Sequence, residues 1–167
     1  MFKTPTSRFA AGVLLFAVVS LQSFAETPQL RISDTVVQMP IAEGVSIDDA
    51  IASMKLRANG LNFKMVGHLP LYKELQAMGI DSKRIEIFQF CDARIAKSMI
   101  DFDPNFSAYL PCRITVLEDD AGQGQLITMN LGMFIDSANL PAELHQMAVQ
   151  VRDTIASIMQ AGADGDL

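Results

Sequence analysis

Two runs in the middle of the chain, Arg84 to Phe90 and Arg113 to Glu118, are short and rich in Ile, Phe and β-branched residues, with about 20 residues between them. Such runs read as strands. The turn cluster Asp119-Asp120-Ala121-Gly122-Gln123-Gly124 joins the second run to Gln125–Asn130 as a hairpin. At least part of the sheet is therefore antiparallel, and every other element has to be fitted to it.

The flanking segments supply what covers that sheet. Thr35 to Ile41 is short, β-branched and closed by Glu43-Gly44, which suits a strand. Ser46, with Asp49 three residues on, caps a helix whose Ile47, Ile51, Met54 and Ala58 fall on one face until Asn59-Gly60. Leu61 to Val66 alternates as a half-buried strand that Gly67 ends, and a short helix from Leu71 to Met78 closes at Gly79. Between the two central strands, Ala93 to Asp101 forms an amphipathic helix with Ile95 and Met99 four apart. Pro141 opens a last helix with a continuous apolar face of Leu144, Met147, Ala148, Val151, Ile155 and Ile158. The expected fold is a single α+β domain, β-α-β(4)-α. Its sheet is mainly antiparallel, its helices pack on one sheet face, and short helical insertions interrupt the strands.

The N-terminus fixes the expected compartment. Lys3 and Arg8 precede an apolar run from Phe9 to Val19, and Ser23-Phe24-Ala25 reads as a small-x-small cleavage site before Glu26. That run falls short of the roughly 20 residues a spanning helix needs, so a cleaved signal peptide is favoured over a retained anchor. No stable membrane span is expected after cleavage, and no cysteine follows the run to accept a lipid. Residues 1–25 are thus assigned to the signal, 26–33 to an N-terminal extension, 34–160 to the domain and 161–167 to a flexible tail. The location is periplasmic or secreted, where disulfides persist. Residues 1–25 carry Lys3 and Arg8 and no acid; the rest holds 11 basic and 19 acidic residues, a net charge of about −8. Such a chain repels nucleic acid.

Phe90-Cys91-Asp92-Ala93, Ala96, Met99, Asp103-Pro104, Leu110-Pro111-Cys112-Arg113-Ile114 and Met129-Asn130-Leu131 follow one another in an order that resembles the domain of unknown function 302 family, over roughly Thr35 to Asn130. The resemblance implies a small β-α-β4-α domain that often associates as a dimer, with no established enzymatic activity. Many members carry Gly-Asn-Pro in place of Cys91-Asp92-Ala93 and an aliphatic residue in place of Cys112. This chain is similar to the cysteine-bearing variety.

Cys91 and Cys112 are the only cysteines. If the two central strands pair antiparallel, Cys91 faces Cys112, within the roughly 4.4–6.8 Å between Cα atoms that a disulfide spans. Closing that loop stabilises a fold by about 3 kcal/mol. Two alternatives stay open. The thiolates, with His68, Met65 or Met99, form a copper, zinc or haem site, although neither Cys-x-x-Cys nor Cys-x-x-Cys-His occurs. Or the pair is redox-active, since Cys91-Asp92 precedes a helix and Arg113 adjoins Cys112. The nine methionines beyond the signal form no Met-x-Met cluster and read as core filler.

Other chemistry has weaker support. There is no Gly-x-Ser-x-Gly, His-Glu-x-x-His or phosphate-binding loop. His68 is a candidate site residue, whereas His145 falls on the exposed side of the last helix. Glu118, Asp119 and Asp120 lack calcium-loop spacing and read as a solvated turn, and Asp103-Pro104-Asn105 as a turn initiator beside Asp101. The expected role is a non-catalytic module that binds a small ligand, an envelope protein partner or a second copy in a homodimer.

Overall fold

Side-chain alternation along the strands sets the layers. A computed structural model describes residues 29–166, so the expected signal segment 1–25 lies outside the described residues. Five strands, β1 (Val36–Pro40), β2 (Lys64–Leu69), β3 (Ile85–Cys91), β4 (Cys112–Glu118) and β5 (Gly124–Met129), form one sheet in the order β1-β5-β4-β3-β2. Every neighbouring pair is antiparallel. Phe88, Phe90, Ile114, Val116 and Leu126 share one face and are fully buried. Two long helices cover them, α1 (Ile47–Gly60) and the C-terminal α5 (Ala142–Asp164), through Met54, Ile155, Ile158 and Met159. The other face keeps Ile85, Ile87, Thr115, Leu117 and Ile127 only half-buried.

Shorter helices interrupt this frame. They are α2 (Leu71–Ala77), α3 (Ala93–Phe102), a 3-10 segment (Pro104–Tyr109) and α4 (Leu131–Ser137). Helices α2 and α3 fall where insertions are expected, whereas the 3-10 segment begins where Asp103-Pro104-Asn105 reads as a turn. Helix α4, which the sequence pattern does not single out, starts where Asn130 accepts a hydrogen bond from the Met133 amide. The Ser46 cap is present as read: its hydroxyl accepts the Asp49 amide at 3.0 Å and donates to the Asp49 carboxylate at 2.7 Å.

Two expectations are corrected. Gly67 does not end β2; the strand runs on to Leu69 through a bulge between Met65 and Gly67. A Cβ at Gly67 would meet the tip of the Gln89 side chain, which would have to turn aside. Nor does a flexible tail begin at residue 161. Helix α5 continues to Asp164 with Ala161, Gly162 and Ala163 buried, and the Ala163 carbonyl accepts the Ala42 amide at 2.8 Å. Small side chains let α5 approach α1 closely: a Cβ on Gly162 would lie 2.5 Å from Met54 Cγ. The left-handed turn of Gly165 stops the helix.

Helix α5 has two unlike halves. Its second half is packed down to Ile158 and Met159 at the centre of the core, while Leu144, Met147, Ala148 and Val151 of the first half are only half-buried. Beneath that first half lies a cavity.

Candidate functional site

The sheet ends toward α3 without filling the space under the insertions. Phe90 of β3, Cys112 of β4 and Met129 of β5 form the floor of an apolar cavity of about 340 Å³. One wall is α3, through Ile95, Ala96 and Met99, and the first half of α5 adds Ala148 and Val151. Phe106 and Tyr109 of the 3-10 segment and Leu131, Phe134 and Ile135 of α4 supply the remaining lining, and the cavity stays partly open to solvent.

Local chemistry holds these walls in place. Helix α3 starts at Cys91-Asp92 because the Asp92 carboxylate accepts the Arg94 and Ile95 amides at 2.8 and 3.4 Å. Asp103 repeats the device for the 3-10 segment, accepting the Asn105 amide at 2.8 Å. Asp92 also pairs with Arg94 at 3.1 Å; that hydrogen bond, helped by the backbone amides and opposed by burial, holds its carboxyl below the ordinary aspartate range. Tilted rings link the 3-10 segment to α4: Phe106 to Tyr109 at 6.4 Å and Tyr109 to Phe134 at 5.4 Å between centroids.

The cysteine strands meet antiparallel as the sequence leads one to expect, with the register shifted by one residue. Phe90, and not Cys91, stands opposite Cys112. Strand alternation would send Cys91 to the other face, yet as the last residue of β3 it still lines the cavity beside Cys112. Both are free thiols, Cys91 half-buried and Cys112 buried. Burial, with a smaller contribution from Cys91, pushes the Cys112 thiol up to about 11. Burial and the Asp92 charge raise Cys91 as well. Reactive thiols need the opposite shift.

Of the sequence candidates, Cys91, Cys112, Asp92 and Met99 come together on this cavity. Met65 lies exposed on β2 and Arg113 exposed on β4, cross-strand from Gln89. His68 belongs to a different cluster. Its ring stacks on Phe88 at 4.4 Å, and its Nε2 lies 2.6 Å from the buried Glu86 carboxylate. Arg84 Nε donates to the same carboxylate at 2.6 Å and its terminal nitrogen to Asp48 at 2.6 Å, so His68 sits at the end of an ion-pair chain that ties β2 and β3 to α1. Among the described residues no three His, Cys, Asp or Glu side chains are placed to hold a metal ion together. The acidic turn is likewise structural: Asp119 accepts the Ala121 and Gln123 amides, and Asp120 pairs with Lys83 at 2.7 Å. Asp101 pairs with Lys97 and not with Asp103. His145 is exposed on α5.

The aromatic wall was missed by sequence reasoning. Phe102, Phe106 and Tyr109 recur every three or four residues, a helical stripe that could have marked one covered face. Phe134 has no such local signal, because folding alone brings it to Tyr109.

Fold and cavity together define a small α+β domain: five antiparallel strands, two long helices on one face, and helical insertions that enclose an apolar chamber. The family model described as "Domain of unknown function DUF302" matches residues 37–162, and the chain belongs to that family. A similar solved structure is the crystal structure of an uncharacterized conserved DUF302 protein from Bacillus stearothermophilus, with a TM-score of 0.65 and 17% identity. The alignment covers 76% of this chain and 97% of that one, a likeness of fold. No curated protein matches.

Proposed function

We propose that the domain is an exported, non-catalytic binding module whose ligand is a small apolar molecule held in the cavity under α3, α4 and α5. The observation that carries this reading is the cavity itself. Its volume of about 340 Å³ lies within the roughly 300–1,000 Å³ of small-molecule sites, and its lining is almost wholly apolar. Asp92 and Asp103 at its edge cap α3 and the 3-10 segment, and no His, Lys or Arg among the described residues lines it as an acid-base partner for them. The test is fluorescence titration with the neutral apolar reporter N-phenyl-1-naphthylamine. Saturable enhancement is expected, and it should be lost in Ala96→Leu and Ala148→Leu, which fill the cavity from different walls while circular dichroism stays native. Absence of saturable binding to the unaltered protein removes the reading.

The thiols fit this module as a staple on its wall. In the oxidising compartment expected from the signal segment, a Cys91–Cys112 bond would tie the end of β3 to the start of β4. The raised thiols weigh against an exchange catalyst, among the described residues no third His, Cys, Asp or Glu joins them to hold a metal, and His68 is held by Glu86 away from the cavity. Intact mass of protein taken from its own compartment, with alkylation under denaturing conditions, should show both thiols blocked and a mass lower by two hydrogens. Two alkylated thiols would remove the staple. Partner binding has its own support in the half-buried Ile85, Ile87, Leu117 and Ile127 of the uncovered sheet face. Sedimentation velocity should show a dimer that Ile127→Asp converts to a monomer.

A further inference from the structure

We infer that the cavity selects a lipophilic cation, an aromatic or alkyl ammonium, over neutral and anionic molecules of the same shape. The inference rests on the binding-module reading and adds to it the charge of the ligand. Two independent observations point the same way. First, among the described residues the only charged side chains lining the cavity are Asp92 and Asp103, and no Lys, Arg or His lines it. An anionic head group would meet carboxylates and no counter-charge there. A cation would meet the opposite sign beside an apolar lining.

Second, Phe106, Tyr109 and Phe134 line the same cavity as Asp103, and the Phe106 amide donates to the Asp103 carbonyl at 3.0 Å, so the first of these rings follows directly on that residue. Their rings are tilted by 58° and 55° to one another, so they enclose a corner instead of forming a flat stack. Aromatic faces carry negative quadrupole charge, and a corner of several rings beside a carboxylate is what recognises alkylated ammonium groups.

The two carboxylates are not equal. Arg94 already pairs with Asp92 and lines a neighbouring pocket that shares Asp92 and Ala96 with this one. Asp103 accepts one backbone amide and has no cationic partner among the described residues, so it carries the selectivity. The chain's net charge of −6 adds a favourable long-range field for a cation.

The experiment uses three probes of one shape and three charges, each competing with the neutral reporter for the full domain. They are benzyltrimethylammonium, its carbon isostere neopentylbenzene, and phenylmethanesulfonate. The ammonium is expected to bind about tenfold more tightly than the isostere and the sulfonate to bind least. Asp103→Asn keeps a side-chain oxygen for the cap and removes the charge. It should reduce the ammonium preference over the isostere to about threefold or less. Phe134→Leu, which removes the aromatic face and keeps the position apolar, should weaken the ammonium more than the isostere and so lower the ratio between them. Reporter binding with the ammonium no better than the isostere would overturn the cation preference and leave the binding module standing. An ammonium preference that Asp103→Asn and Phe134→Leu both leave intact would place the selectivity elsewhere and equally overturn the assignment. If neither reporter nor any probe binds, both readings fall.

Discussion

At the scale of single residues, Glu86 is the most consequential polar group in the molecule. It is 5% exposed, and its two oxygens serve different partners, Arg84 and His68. Burial acts to raise its carboxyl, but the hydrogen bonds and charges of Arg84 and His68 outweigh burial and hold it below the ordinary glutamate value of 4.5. A carboxyl depressed in the folded state adds stability that is fully present above the unfolded value and is lost as pH falls through the folded one. Urea unfolding should therefore show stability dropping below about pH 4.5 more steeply in the unaltered protein than in Glu86→Gln. At pH 7 the variant should be less stable by about 1.5–3 kcal/mol, the cost of losing charge-assisted hydrogen bonds. Parallel pH profiles would mean that the ion pairs add nothing net. None of this is legible in the sequence, where Glu86 is one polar position in an apolar strand. The bulge at Gly67 aligns His68 with Phe88 and so brings it near Glu86, and a lone glycine reads equally well as a strand end.

At the scale of elements, the Asp-capped insertions are what turn a sheet with two helices into a container. Asp92 and Asp103 each start a short helical segment that lacks a deep core of its own. Asp92→Ala should cost about 1 kcal/mol, while Asp92→Asn, which can still cap, should stay within a few tenths. Urea midpoints of the two variants check this; equal losses would show that the Arg94 pair, and not the cap, holds α3. The helices and strands were largely readable from local pattern: Ser46 with Asp49, the Ile95 and Met99 spacing, and the turn at Asp119 to Gly124. Two elements were not. Helix α4 has only seven residues, too few to establish a period. The end of α5, Ala161-Gly162-Ala163-Asp164-Gly165, has the composition of a linker, yet its small residues are the surface that lets two helices touch.

At the scale of the whole molecule, the cavity joins side chains more than 80 positions apart, from Phe63 to Val151, and no local pattern encodes that meeting. The cysteines attract attention because they are rare, whereas the chamber they border is built mostly from commonplace Leu, Ile, Ala and Phe. The contrast between the two halves of α5 carries this difference into dynamics. One end of the helix is clamped by Met54, Ile158 and Met159, and the other spans a void together with α4. Opening should therefore run as a gradient along a single continuous helix, with the amides of Ile155 to Ala163 exchanging hydrogen only on global unfolding and those of Leu144 to Val151 exchanging by local fraying. Hydrogen exchange read by mass spectrometry should resolve the two halves, and bound ligand should slow only the first. Uniform protection along α5 would argue against entry from that end. The gradient makes this helix a spring anchored at its C-terminus, whose free end would give a ligand a way in without disturbing the sheet.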